Sequence, residues 1–171
     1  MKHQKLYHLV LAALFAALTY VATNIIHVPI PATDGYINLG DCVVLLGAFL
    51  LGPVYGAAAG GIGSALADII SGYAVFAPGT FVIKALIAVI AAAILKALGS
   101  KTKAAPIVAS IAGEAWMLLG YFLYESIFLG YGLAAAGSIG GNAIQAVAGV
   151  ILASALYAVL SKVPQIKKAA A

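Results

Sequence analysis

Five acidic side chains, Asp34, Asp41, Asp68, Glu114 and Glu125, and one lysine, Lys84, lie within or beside the long apolar runs of this chain. Ionisable groups inside a bilayer are expensive and default to sites of binding or conduction unless they neutralise one another. The chemistry open to them is recognition. A carboxylate accepts hydrogen bonds from ring amines and hydroxyl groups, and a desolvated site makes such bonds count. The segment 114–125, EAWMLLGYFLYE, sets Glu114, Met117 or Leu118, Tyr121 and Glu125 on one helical stripe, because residues three and four apart share a face. Two carboxylates and a phenol cannot face lipid, so the stripe is expected to face a cavity or polar groups on other helices. The segment 138–145, SIGGNAIQ, makes Asn142 and Gln145 neighbours, with Gly141 leaving room for another chain segment or a ligand. Amides of this kind touch a ligand or join helices at about 0.6–2 kcal/mol. For Asn142 the two readings stand level; for Gln145 the interhelical bond is favoured. The segment 27–38, HVPIPATDGYIN, adds Tyr36 and Asn38, and the segment 71–79, SGYAVFAPG, adds Tyr73, Phe76 and Pro78. Aromatic-bearing loops over a polar cavity would cover a planar ring; singly, the same aromatics would be anchors at the membrane surface.

Other chemistries lack their residues. There is no HExxH, no GxxxxGK[ST] and no His/Cys cluster, and His3, His8 and His27 are scattered. No metal, no cofactor and no enzymatic activity are therefore expected. The single cysteine, Cys42, excludes an internal disulfide. Nine lysines without one arginine, spread between apolar runs, do not make a nucleic-acid surface. The chain cannot energise transport by its own ATP hydrolysis. It moves a solute passively, couples to an ion, or depends on partners. A stand-alone proton-coupled transporter of a small polar solute, with Asp41, Asp68 or Glu114 carrying the proton, is the alternative to a partner-driven importer.

The elements that must position these groups are membrane helices. Of 171 residues, 64% are hydrophobic and 8% charged, whereas soluble domains carry about 25% charged residues. A span needs about 20 apolar residues, so the chain has room for six. The expectation is an all-α membrane protein, one integral domain over 1–171, with spans near 6–26, 39–51, 54–70, 80–98, 106–126 and 138–160. The first apolar run is longer than the core of a signal peptide and is read as a retained span. Pro29 and Pro31 end it, and Gly52-Pro53 marks a tight turn. With the N-terminus in the cytoplasm, Lys2, Lys5, Lys96, Lys101, Lys103, Lys162, Lys167 and Lys168 all fall inside, in accord with the positive-inside rule, and only Lys84 does not. Both termini are thus expected in the cytoplasm. The acids gather in the outer half, so a site there would open outward.

Small residues mark close helix contacts. Gly52, Gly56 and Gly60 repeat every four residues and are assigned to internal packing. Ala12/Ala16 and Ala13/Ala17 are two overlapping AxxxA pairs in the first span, and their partner is either this chain or another subunit.

Taken in order, these features resemble the substrate-binding (S) component of energy-coupling factor (ECF) vitamin transporters. The resemblance runs through the AxxxA-bearing first helix, VPIPATDGYINLGD (28–41), LLGPVYGAAAGGIGSALADIISGY (50–73), PGTFVIKAL (78–86), GYFLYE (120–125) and GGNAIQ (140–145), and covers most of the chain. It implies a six-helix subunit of a bacterial plasma membrane that captures a vitamin or precursor from outside and joins a membrane coupling subunit and two cytoplasmic ATPases. It implies a substrate site at Tyr36, Asn38, Lys84, Glu114, Tyr121, Glu125 and Asn142, and docking through Ala12, Ala13, Ala16 and Ala17. The nearest subgroup is the hydroxymethylpyrimidine and pyridoxine carriers. An acid-rich cavity with one lysine suits a neutral or cationic heteroaromatic ring better than an anionic one, Glu114 being the expected anchor, and riboflavin remains compatible because its ring is neutral.

Overall fold

The computed structural model describes residues 2–30, 33–99, 102 and 104–163, the side chains of Lys2 and His3 aside. Pro31, Lys101, Lys103, Lys167 and Lys168 lie outside the described residues. The described chain is built on five helices: α1 (Lys2–Ile25), α2 (Gly40–Ile70), α3 (Ala77–Leu98), α4 (Ala105–Leu123) and α5 (Ile139–Leu160). Pro78 and Pro106 stand in the first turns of α3 and α4, where the missing amide would have had no helical partner.

The 31 residues of α2 are not a straight rod. Gly52 takes φ 78° and ψ −176°, a backbone region that only glycine enters freely, and Pro53 follows it. The chain folds back there. A Cβ on Gly56 would lie 2.9 Å from the Ala48 Cα, and one on Gly60 would lie 2.9 Å from Val44 Cγ1. The arms 40–51 and 53–70 are therefore antiparallel and touch backbone to backbone, which is the use of the glycine repeat. Arm 53–70 runs parallel to α1: Gly63 meets Ala16 and Thr19, and Ser71 Oγ donates to Asn24 Oδ1 at 2.6 Å.

The chain is mostly helical, as expected, with one short β-hairpin besides. Within the expected polar loop 27–38, β1 (Val28–Ile30) pairs antiparallel with β2 (Gly35–Ile37), in register Val28↔Ile37, Pro29↔Tyr36 and Ile30↔Gly35. β-Branched and aromatic residues favour the strand, and a two-stranded ribbon tolerates a proline on its free edge. Asp34 makes the turn at φ 53°, a left-handed conformation that Asp accepts. The hairpin lies on the start of α5: a Cβ on Gly141 would come within 2.7 Å of Ile30 Cδ1 and 3.3 Å of Ile37 Cδ1. The room left by Gly141 is thus filled by the chain itself. The stretch 127–137, expected as a loop between spans, is largely helical: a single π-helical turn, Tyr124–Phe128, extends α4 into it, and a 3₁₀ helix, Gly132–Ser138, leads from it into α5.

Val44, Leu45, Ile87, Ala88, Ala109, Met117 and Ala153 form the core. Outward, every helix presents large apolar side chains, including Leu9, Leu14, Val54, Val82, Ile111, Ile144 and Ile151. A water-soluble monomer does not expose such a continuous apolar surface, and all five helices are long and apolar enough to cross a membrane. The polar groups separate by end. Lys5, Lys96 and Lys162 sit at the start of α1, the end of α3 and just after α5. At the opposite end stand the hairpin and Asp41, Asp68, Lys84 and Glu125.

Candidate functional site

A cavity opens at the hairpin end of the bundle. Thr23 comes to it from α1, Asn38 from the junction of β2 and α2, Ser64 and Asp68 from α2, Thr80 and Lys84 from α3, Tyr121 from α4, and Asn142 and Gln145 from α5. Tyr36, Phe76 and Glu125 line it as well, with Ile30 and Gly35 of the hairpin. The helix periods explain the convergence: Ser64 and Asp68, Thr80 and Lys84, and Tyr121 and Glu125 are each four residues apart and so share a face.

Lys84 Nζ is hydrogen-bonded to Asp41 Oδ1, and both side chains are buried. The second carboxylate oxygen, Asp41 Oδ2, accepts from Gln145 Nε2 at 2.6 Å, and Gln145 Oε1 accepts from the backbone N–H of Asn38 at 2.7 Å. Asn38 Oδ1 in turn accepts from the N–H of Gly40 at 2.8 Å. One lysine, one acid and two amides thereby lock α2, α3, α5 and the end of the hairpin together. The Lys84 ammonium also lies 5.4 Å from the centre of the Tyr121 ring, a cation–π distance, while Tyr121 Oη meets Thr80 Oγ1 at 3.0 Å.

Above this network Tyr36 Oη donates to Asp68 Oδ1 at 2.5 Å. Burial, reinforced by the Asp68 carboxylate, pushes the Tyr36 phenol well above its ordinary value, so it remains a donor. Its ring stacks on His27, with centroids 3.8 Å apart and planes 14° from parallel, and Tyr73 packs 4.7 Å from it. Tyr73 and Phe76 thus belong to one aromatic cover over the cavity, and Phe76 is buried within it. Glu125 Oε2 accepts from Ser138 Oγ at 2.6 Å.

Six of the seven expected substrate residues, Tyr36, Asn38, Lys84, Tyr121, Glu125 and Asn142, meet at this cavity. Glu114 does not line it. Its carboxylate is buried against α5, where a Cβ on Gly149 would lie 2.9 Å from Glu114 Oε1 and 3.3 Å from the Asp41 Cβ. That position is seven residues, about 10 Å of helix rise, from Tyr121. The partner of Lys84, open in the sequence, is Asp41. Thr23, Ser64 and Thr80 are cavity residues that were not anticipated. The signal was present in the four-residue spacing of Ser64 with Asp68 and of Thr80 with Lys84. Among the described residues no group of three His, Cys, Asp or Glu side chains comes together to hold a metal ion.

A separate apolar groove runs along α1 and arm 53–70, lined by Ala12, Ala13, Ala16, Ala17 and Tyr20 of α1 together with Ala59 and its neighbours. It divides the two AxxxA pairs. Ala12 is buried against Leu51 and Ala59 and Ala16 is half-buried, whereas Ala13 and Ala17 are exposed.

Residues 3–162 match the family described as ECF-type riboflavin transporter, S component, and the chain belongs to that family. It is the substrate-binding subunit of a transporter and not an enzyme; S components bind a small vitamin-type substrate and work with a membrane and ATPase module. A Pyrococcus woesei protein described only as an uncharacterized protein in the gap 3′ region is 39% identical over 142 residues, covering 83% of this chain and 93% of its own. The fold is also that of a solved structure, reported as the structure and mechanism of the S component of a bacterial ECF transporter, with a TM-score of 0.74, 23% identity, and coverage of 92% of this chain and 97% of that one.

Proposed function

We propose that this chain is the high-affinity capture subunit for riboflavin in an ECF importer of the plasma membrane. The observation that carries the reading is the state of Lys84. Among the described residues Lys84 is the one cation lining the cavity, and it is already paired with Asp41, which disfavours an anionic vitamin. Two carboxyl groups, those of Asp68 and Glu125, also line the cavity. A neutral flat heteroaromatic ring, seated under Tyr36 and Phe76 and against Tyr121, fits this balance, with Asn142 and the second side-chain atoms of Asn38 and Glu125, Nδ2 and Oε1, available to its edge. Hydroxymethylpyrimidine and pyridoxine meet the same electrostatic condition. The family description favours riboflavin among the three.

In this reading the two arms of α2 are separate crossings, so the chain spans the bilayer six times. The end bearing Lys5, Lys96 and Lys162 is cytoplasmic under the positive-inside rule, and the cavity opens outward. A membrane coupling subunit and two cytoplasmic ATPases complete the importer, with the coupling subunit seated on the α1 groove.

The test is titration of the purified chain in detergent with riboflavin, hydroxymethylpyrimidine and pyridoxine, following the melting temperature and, for riboflavin, quenching of flavin fluorescence. Riboflavin is expected to saturate at sub-micromolar concentration and to raise the melting temperature most. Stabilisation by one of the smaller rings alone would reassign the vitamin. No stabilisation by any of the three would remove the reading.

A further inference from the structure

The polar groups of the cavity differ in bonding state from one wall to the other. On the wall made by α3, α4 and α5, the strongest groups are already engaged: Lys84 with Asp41, Gln145 with Asp41 and Asn38, Thr80 with Tyr121, and Glu125 with Ser138. On the wall made by α1 and arm 53–70 three atoms lack a hydrogen bond of ordinary geometry, Thr23 Oγ1, Ser64 Oγ and Asp68 Oδ2, although the Thr80 hydroxyl lies near the Asp68 carboxylate. Their residues are 2%, 1% and 3% exposed, and all three line the cavity.

These atoms share one patch. Ser64 and Asp68 are one helical turn apart on the same face. Thr23 reaches the patch because α1 lies parallel to that arm, and its hydroxyl sits against Gly40, beside the Asn38 side chain. Buried polar groups are nearly always satisfied, by protein, water or ligand, and three orphans in one patch of a ligand cavity point to a ligand that satisfies them.

Resting on the riboflavin reading above, we infer that Thr23, Ser64 and Asp68 form a subsite on the α1–α2 wall for a polyhydroxylated side chain of the substrate. The chemistry is specific. A threonine and a serine hydroxyl each donate and accept, and the carboxylate oxygen accepts only. A run of alcohol groups, which also donate and accept, can pair with all three at once. A ring with no hydroxylated tail would leave them orphaned. A tail ending in phosphate would bring negative charge to Asp68, so the free polyol is preferred over its phosphate ester. Ligand hydroxyls satisfy such atoms as well as ordered water can, with little loss on exchange.

Riboflavin and lumiflavin separate the subsite from the ring site, because they share the isoalloxazine ring and differ in the ribityl chain, which lumiflavin replaces with methyl. Both are titrated against the full-length wild type, Thr23→Val and Ser64→Ala by flavin fluorescence quenching in detergent. The wild type is expected to bind riboflavin at least tenfold more tightly than lumiflavin. Each variant is expected to weaken riboflavin about 5- to 10-fold, in keeping with one lost hydrogen bond, and to leave lumiflavin unchanged. The ligand-free melting temperature of each variant should hold or rise, because an orphaned hydroxyl contributes nothing to the empty fold. Binding of both flavins by the wild type, with no selective loss of riboflavin in either variant, would overturn the subsite while leaving the capture function standing. A fall in ligand-free melting temperature together with equal losses for both flavins would reassign the two hydroxyls to the fold and also overturn it. A wild type that binds neither flavin ends the riboflavin reading and this inference with it.

Discussion

Lys84 of α3 is bonded to Asp41 at the start of α2, and neither side chain reaches the surface. The pair lies where three helices and the hairpin end converge, and Gln145 ties its carboxylate to the backbone of Asn38. Its position settles how the cavity is charged: a lysine that would otherwise recruit anions is spent on a helix contact. Breaking such a pair from one side is much worse than removing both partners, because the survivor is left as an uncompensated buried charge. Lys84→Met alone and Asp41→Asn alone are each expected to destabilise the detergent-solubilised protein by about 3–5 kcal/mol. The double variant should recover most of that loss. Thermal unfolding of the four proteins reads the coupling, and additive losses would show that the two groups act independently.

Tyr36 joins the aromatic cover to the α2 wall through its bond to Asp68. Tyr36→Phe keeps the ring stacked on His27 and removes only that bond. Hydrogen bonds to a charged group are worth about 1.5–3 kcal/mol, so riboflavin affinity is expected to fall by roughly tenfold or more if the cover must be held shut over the ligand. His27→Ala should weaken binding less, since it leaves the Asp68 bond intact. Titrations of both variants against wild type give the ranking, and the reverse order would make stacking the principal restraint.

Glu114 tests how far burial alone identifies a ligand anchor. Its carboxylate is 2% exposed, neither oxygen has a hydrogen bond, and it shares the neighbourhood of Asp41 with only one lysine between them. Glu114→Gln is expected to change riboflavin affinity less than about threefold and to raise the melting temperature, because it removes a competing acid from beside the Asp41–Lys84 pair. A large loss of affinity with stability unchanged would return Glu114 to the binding site.

Much of this arrangement is legible in the sequence because the bilayer imposes a strict rule: a polar side chain on a membrane helix must turn inward. That rule, with the three-and-four spacing, brings Tyr121, Glu125, Asn142 and Lys84 to one end of the bundle. It is silent on depth, and so Glu114, on the same stripe as Tyr121, was expected in the cavity and lies off it. It is also silent on pairing, which depends on how α2, α3 and α5 rotate against each other; the sequence leaves Lys84 to Asp68, to Glu114 or to no partner, and the structure pairs it with Asp41. Thr23, Ser64 and Thr80 do not stand out in the sequence because small hydroxyl residues are common in membrane helices as packing residues. The hairpin was missed for a different reason. Strands of three residues carry too little alternation to be seen, and Pro29 and Pro31 read more naturally as loop.

Gly52 carries the reversal that makes α2 a pair of antiparallel arms. Its φ of 78° with ψ near −176° belongs to a region closed to side-chain-bearing residues, although a Cβ there would meet no neighbour. Gly52→Ala is thus a test of backbone conformation alone. A loss of about 1–3 kcal/mol is expected, with riboflavin affinity of the folded fraction unchanged, because the cavity lies at the far ends of both arms. Unfolding midpoints and titrations on the same preparation decide it; an unaltered midpoint would mean that the turn can be made another way.

The two alanine pairs of α1 are expected to separate fold from partnership. Ala12 is buried against Leu51 and Ala59, and Ala16 is half-buried beside Gly63. Leucine at either position overfills a packed contact, at about 1–3 kcal/mol, and should lower the melting temperature of the isolated chain. Ala13 and Ala17 face outward along the same groove. Leucine there enters an open apolar groove, not a packed contact, and should spare both stability and vitamin binding. If a coupling subunit lies on the groove, however, Ala13→Leu with Ala17→Leu holds it off by the length of a side chain, and the close backbone approach that small residues permit is lost. Vitamin uptake by the assembled importer should then fall at least tenfold while the purified subunit binds as before. Full uptake by this double variant would move the docking face off α1, since no other substitution on that helix fills the groove so directly without disturbing the cavity.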